Sequence, residues 1–268
     1  MINLTNEDKK KIKYEENIYL RKVQLTTGTY YVKYSSIFCS GDSMYGELIG
    51  KKIADIVGIK CPSYYIYWDE QCILSEDLNS YKGFCFAKDI GINNTTLNNV
   101  RECFERQKNE FGKFINIDEL MIQVYMMHFI DILFSNTDRH EENYGFIVKE
   151  DGKGELVIFD HGDILTHFDI ATRPLSFDNA NDIDYALYSK VSEAKYFLSS
   201  ISDEVMGLLK LIFLKFDIKT VSMIISSVEK EAGRNFVKKR EYLKLYKKNY
   251  RMIKKIFLEL ERNDIKRR

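Results

Sequence analysis

Proline is nearly absent from this chain. Pro62 and Pro174 are the only two among 268 residues, which favours helices and strands over long irregular loops. Net charge is absent as well: 40 Lys/Arg balance 40 Asp/Glu. A protein that coats duplex nucleic acid is usually basic, so that class loses weight. No long apolar run exists. The most apolar stretch, 121–134, is interrupted by Gln123, His128 and Asp131 and falls short of the ~18 residues a membrane span needs. The five cysteines, Cys39, Cys61, Cys72, Cys85 and Cys103, include no C-x-x-C pair, so neither a disulfide scaffold nor a zinc site is indicated. Free thiols in a reducing compartment are the plain reading. The polar start, MINLTNEDKKKIKYEEN, reads as no signal peptide, and a soluble cytoplasmic protein is expected.

What is present suits a sizeable core: 45% hydrophobic residues, with 18 Tyr and 17 Phe. Charge is unevenly placed. Residues 233–268 hold 14 Lys/Arg against 4 Asp/Glu, so the preceding residues carry a net −10. The alternation of IYLRKVQL and YYVKY about Thr26–Gly28 predicts a hairpin over 18–33. Leu48, Ile49, Ile53, Ile56 and Val57 recur at helical spacing, which predicts a helix over 45–57 with Gly58 as its C-cap. SYYIYW and QCILSE read as two short strands. Helices are expected over 97–114, 119–134 (capped by Asp118), 192–199, 203–216, 220–233 and 235–261, with a second hairpin over 144–148 and 156–159. The aperiodic segment 161–190 is a candidate functional loop. This order predicts an α+β protein of two lobes. Residues 1–80 would form a small β-rich N-lobe and residues 81–268 a larger helical C-lobe, with a cleft between them suited to a small molecule.

The sharpest signal is Asp138-Arg139-His140-Glu141-Glu142-Asn143 followed by Ile158-Phe159-Asp160-His161-Gly162. Asp138 and Asn143 sit on a polar loop between a helix and a hairpin, and the hairpin would return Asp160 beside that loop. Three oxygen-bearing side chains at a cleft suit Mg²⁺, a hard cation usually held by few protein ligands plus phosphates. The D-x-x-x-x-N spacing matches a kinase catalytic loop. Upstream, Lys33 lies within a strand and Glu47 opens the next helix, the order by which kinases aim an ammonium at nucleotide phosphates.

YVKY, GELIGKKIADIVGI, LSEDL, NTDRHEENYGF and IFDHG together resemble the HipA-like, or CtkA-like, bacterial Ser/Thr kinases over about residues 30–165. The D-R-H-x-x-N order is also similar to the phosphatidylinositol kinases. The resemblance implies a protein-kinase-like fold with ATP and Mg²⁺ in the cleft. It implies that Asp138 positions the acceptor hydroxyl and takes its proton, that Asn143 and Asp160 hold Mg²⁺, and that Lys33 holds phosphate with Glu47 behind it. It places the stretch Ser75-Glu76-Asp77-Leu78 at the interlobe hinge, with Glu76 and Leu78 offering backbone groups to adenine. Partners implied are a protein substrate and an antitoxin or regulator, in a bacterial cytoplasm.

Two features depart from the pattern. His161 stands where many kinases carry Phe, and no G-x-G-x-x-G precedes Lys33. The small polar loop 35–43 is the candidate substitute. A lipid or small-molecule kinase, or a pseudokinase that binds nucleotide without transfer, are the alternatives. His140 and Arg139 are expected to support the loop, and buried Asp131 should need a partner such as a loop amide or Arg139. Phe236, Leu243, Tyr246, Tyr250, Ile253, Phe257 and Leu260 predict that the basic C-terminal helix docks by one stripe and leaves its Lys/Arg face in solvent.

Overall fold

A computed structural model describes residues 4–14, 20–34, 42–93, 96–136, 138–162, 164 and 191–267. Most of the polar loop expected over 35–43 and most of the aperiodic segment 161–190 lie outside the described residues.

A short helix α1 (Asn6–Lys11) precedes the hairpin β1 (Leu20–Leu25) and β2 (Gly28–Tyr34), then helix α2 (Asp42–Val57) and strands β3 (Tyr64–Tyr67) and β4 (Cys72–Glu76). These strands form one antiparallel sheet in the order β1-β2-β4-β3. Alternation sets its two faces. Val23, Leu25, Tyr30, Val32, Tyr34, Cys72 and Leu74 pack together with Ile12, just beyond α1. Tyr31 and Lys33 point the opposite way, paired in register with Ser75 and Ile73. Lys33 therefore faces the cleft because its neighbours Val32 and Tyr34 are the apolar ones. Gly58 ends α2 at φ 77°, a left-handed conformation that favours glycine.

The larger part begins with β5 (Phe84–Phe86) and continues through α3 (Leu97–Phe111), α4 (Ile117–Phe134), β6 (Tyr144–Val148) and β7 (Gly154–Ile158). The helices α5 (Val191–Ser200), α6 (Asp203–Lys215), α7 (Ile218–Ala232) and α8 (Lys239–Arg267) complete it. The expected second hairpin thus gains a third strand, with sheet order β5-β6-β7. A parallel bridge from Lys60 to Val157 links this small sheet to the chain leading into β3.

Two local expectations shift. Asn116, not Asp118, is the N-cap of α4; its amide is turned to Gly154, accepting from N–H and donating to C=O, while Asp118 pairs with Arg101 at 3.1 Å. The buried face of α8 is centred on Tyr242, Tyr246, Asn249, Ile253 and Ile256, with Leu243, Tyr250 and Leu260 only partly buried. The wide face arises because α8 packs against α4, α5 and α7 together. The main core joins α2, α4, the lower sheet and α5–α8. Among the described residues no helix is long and apolar enough to cross a membrane.

Candidate active site

The cleft between the two sheets holds a cavity of about 390 Å³. Leu20, Tyr31 and Leu78 bound it from above, and Phe86 and Phe159 from below. Phe86 and Phe159 meet edge to face at 5.9 Å and make that wall apolar. At the inner end lie Lys33, Glu47, Asn143 and Asp160.

Lys33 Nζ lies 3.2 Å from Glu47 Oε1 and 2.5 Å from Asp160 Oδ1. The Lys33, Glu47 and Asp160 side chains, far apart in sequence, thus form one cluster. Burial alone would lower the Lys33 pKa, but the Glu47 and Asp160 carboxylates outweigh it and hold the ammonium above its usual range. One cation serves two carboxylates. Burial, with Asp160 nearby, pushes Glu47 up to about 7, and Lys33 holds Asp160 below the usual carboxylate range against the cost of its own burial. With Glu47 ionised the three groups carry one negative charge in excess, which a divalent cation beside Asp160 would offset.

Asn143 and Asp160 are brought together by the hairpin. Tyr144 pairs with Ile158, and the Phe159 N–H donates to Asn143 O at 3.2 Å, so the residues flanking the two strands are neighbours. Asn143 Nδ2 donates to the Asp138 carbonyl at 2.6 Å, which leaves Oδ1 as the oxygen available to a cation. Among the described residues no three His, Cys, Asp or Glu side chains form a metal cage. The donor set instead fits a cation held by Asn143 and Asp160 and completed by phosphate oxygens. Asp160 sits at φ 54°, an uncommon conformation that Asp tolerates better than most residues.

Asp138 is exposed at the rim, not within the cavity lining. Arg139 behind it is buried and fully engaged. Its Nε and Nη2 grip Asp131 at 3.1 and 3.3 Å, and its Nη1 donates to Asn143 O and Phe159 O at 2.6 and 2.8 Å. Asn136 Nδ2 also donates to Asp131, at 2.8 Å. Asp131 thus has both a loop amide and Arg139 as partners. Arg139 Nη2 lies 3.3 Å from His161 Nδ1, and an arginine can only donate, so Nδ1 is the acceptor. The proton then sits on Nε2, 3.6 Å from Cys61 Sγ. Burial, reinforced by Arg139, keeps this imidazole neutral, with its pKa well below the usual value. His140 accepts from the Glu142 N–H at 3.2 Å, a bond internal to the loop. Glu76 Oε2 accepts from the Tyr81 hydroxyl at 2.9 Å and the Ser63 N–H at 3.2 Å, and the Glu76 N–H donates to Ser63 O at 3.0 Å. Leu78 opens a 3-10 turn (Leu78–Ser80), where the first N–H groups have no partner within the turn.

Several contributors escaped the sequence reading. The His161 N–H donates to Glu47 Oε2 at 2.7 Å, which ties the segment after β7 to α2. That approach requires glycines. A Cβ on Gly50 would lie 2.2 Å from His161 Cγ, and one on Gly46 would lie 2.7 Å from the His161 carbonyl. Two glycines four apart inside a helix, each costing about 1 kcal/mol relative to Ala, were the available signal. Asn249 on α8 is buried and donates to Leu133 O at 3.1 Å and Ser135 Oγ at 2.7 Å, holding the end of α4 from which the loop departs. Glu142, paired with Lys88 at 2.5 Å, and Phe86 were also unanticipated in the cavity wall.

No family model matches the sequence, and comparison with curated proteins finds no match. Solved structures do match. The crystal structure of the Helicobacter pylori proinflammatory kinase CtkA superposes with a TM-score of 0.61 at 17% identity, covering 93% of this chain and 95% of that one. A chain from the Shewanella oneidensis MR-1 HipA, HipB toxin–antitoxin complex with operator DNA gives 0.55 at 13% identity, over 92% of this chain and 65% of that one. This chain has a HipA/CtkA-like, two-lobed kinase-like fold, α+β in class, with a small antiparallel sheet region and a larger helical part.

Proposed function

We propose that this chain is an ATP- and Mg²⁺-dependent phosphotransferase, acting as a HipA-like protein Ser/Thr kinase. The observation that carries the reading is the contact of Lys33 with both Glu47 and Asp160 in a largely apolar cavity that Asn143 also lines. In this reading adenine lies between Leu20 and Tyr31 above and Phe86 and Phe159 below, with the Glu76 and Leu78 main chain at its edge. Lys33 holds phosphate, and Glu47 keeps that ammonium aimed. Mg²⁺, when bound at Asn143 and Asp160, neutralises charge on the phosphates. Asp138, exposed at the rim, meets an acceptor hydroxyl, orients it and takes its proton. Arg139 and His140 hold the loop from behind. The lobes divide at residue 80/81, just before β5.

The likeness to a chain from a toxin–antitoxin complex supports a regulatory protein partner, and a bacterial cytoplasmic location fits both. Incubation with γ-labelled ATP and Mg²⁺, followed by mass spectrometry, tests the reading. Label on Ser or Thr, lost without Mg²⁺, is expected. Transfer to lipid or small alcohols alone would replace the substrate class. Nucleotide binding with no transfer to any acceptor would leave a pseudokinase.

A further inference from the structure

The kinase reading needs Glu47 to stay against Lys33, and Glu47 rides on α2. That helix is gripped on two opposite sides. Its front carries Glu47, held by Lys33 and the His161 N–H. Tyr45 precedes Glu47 by two residues, about 200° around a helix, and so lies on the back. There the corner between α7 and α8 closes on it. The Tyr45 ring stacks on Phe236 at 4.6 Å, and its hydroxyl donates to Arg234 O at 3.0 Å. Trp68, in the turn after β3, donates from Nε1 to Ala232 O, and the Arg234 guanidinium sits 4.5 Å from the centre of its ring. Lys52 of α2 pairs with Glu231 at 2.9 Å, and Lys215 reaches the Ile56 carbonyl near the end of α2 at 3.5 Å. The corner is itself fixed, because Glu229 accepts from the Phe236 N–H at 3.0 Å and pairs with Lys239 at 2.6 Å.

We infer that the α7–α8 corner is a positioning clamp for the Lys33–Glu47 pair, with Tyr45, Trp68, Arg234 and Phe236 as its positioning residues. The clamp joins the upper lobe to the C-terminal helices behind the cleft and holds α2 engaged before any ligand arrives. Its geometry explains why Tyr45 and Phe236 are buried while Val237, the next residue, is 93% exposed. Its part in nucleotide handling rests on the kinase reading; its grip on α2 does not. Two readouts keep the two separable.

The first is amide hydrogen exchange of the full chain without ligand, for wild type, Arg234→Ala, Arg234→Lys, Tyr45→Phe and a control, Lys210→Ala, whose pair with Glu261 lies elsewhere. Exchange over 42–57 should quicken by about tenfold in Arg234→Ala and less in Tyr45→Phe, with α4 protected as in wild type. Arg234→Lys, which keeps a cation over the ring, should recover much of the protection, and the control should change nothing there. The second is the fluorescence of Trp68, the only tryptophan. Its emission should shift in Arg234→Ala without bulk unfolding. Unchanged exchange over 42–57, or acceleration spread evenly over all elements, would overturn the clamp. Tyr45→Phe removes a single oxygen, so it keeps the test open if Arg234→Ala fails to fold. If transfer is present, the ATP KM should rise several-fold in Arg234→Ala. A wild type that binds no nucleotide would sink the kinase reading and leave the exchange result standing.

Discussion

Two ionic clusters, one lining the cleft and one buried behind it, are built differently. The Arg139–Asp131 pair is closed. Each guanidinium nitrogen meets an acceptor, Asp131 takes a further bond from Asn136, and both side chains are almost wholly buried. The Lys33 cluster is open. One ammonium answers two carboxylates, and Lys33 and Asp160 remain 35% and 39% exposed. A closed buried pair serves as scaffold, since removing either partner strands a charge. An unbalanced, accessible cluster is built for something that arrives. Arg139 spans both jobs, because its remaining donors fix the main chain of Asn143 and Phe159, the residues that set Asn143 and Asp160.

Breaking the closed pair should have the largest effect on stability. Arg139→Ala leaves Asp131 charged and buried, and denaturant unfolding should show a loss of about 3–5 kcal/mol. A loss under about 1 kcal/mol would mean the pair is not the scaffold. The next largest effect should come from separating the clusters. Gly50→Ala forces a methyl onto the His161 ring, and unfolding should show about 1–3 kcal/mol of overpacking cost. Gly207→Ala, with open space around its Cβ on α6, should be neutral or stabilising in the same assay.

The open cluster should respond the other way round. Lys33→Met removes the ammonium that Glu47 and Asp160 share, yet the Glu47 carboxyl, whose pKa burial raises, can take a proton instead. Stability should move by about 1 kcal/mol or less, while phosphate transfer should fall far more than in Lys51→Ala or Lys52→Ala. Equal activity losses in all three would reduce Lys33 to a surface charge.

The smallest effect concerns a site outside the cleft. Asp8 accepts from the Thr26 hydroxyl and N–H and from Thr5, bonds that hold its carboxyl well below the ordinary range and pin α1 to the β1–β2 turn. A depressed pKa adds stability above the unfolded-state value and loses it as pH falls. The melting difference between wild type and Asp8→Asn should therefore be full near neutral pH and shrink as pH drops below about 4. A difference independent of pH would contradict the assignment.

The parts of this arrangement that were legible in sequence were local or carried by spacing. Lys33 between apolar Val32 and Tyr34, Glu47 early in the next helix, and the Asp138, Asn143 and Asp160 order could each be placed on an element from periodicity and turns. What could not be read came from contacts between distant residues with no periodic mark. Trp68 meets Ala232 across 164 positions, and Asn249 reaches Ser135 across 114. Phe86 is one aromatic among many until β5 joins the hairpin. Sequence favours Asp118 as the cap of α4 because it is the better isolated capping residue, while the tertiary fold places Asn116 there with its amide on Gly154. The sequence of α8 shows neither the several helices it meets nor that a polar Asn249 belongs inside its buried face.

The central claim is that the open cluster binds MgATP and that Asp138, outside the cavity lining, acts on the acceptor instead. Calorimetric titration of MgATP beside a transfer assay, on wild type and Asp138→Asn, tests it most directly. Asp138→Asn should bind MgATP within a few-fold of wild type yet lose transfer by on the order of 10²–10⁴, the pattern of an interaction made in the transition state. Equal loss of binding and transfer would place Asp138 on the nucleotide, and wild-type binding without any transfer would contradict the enzymatic account.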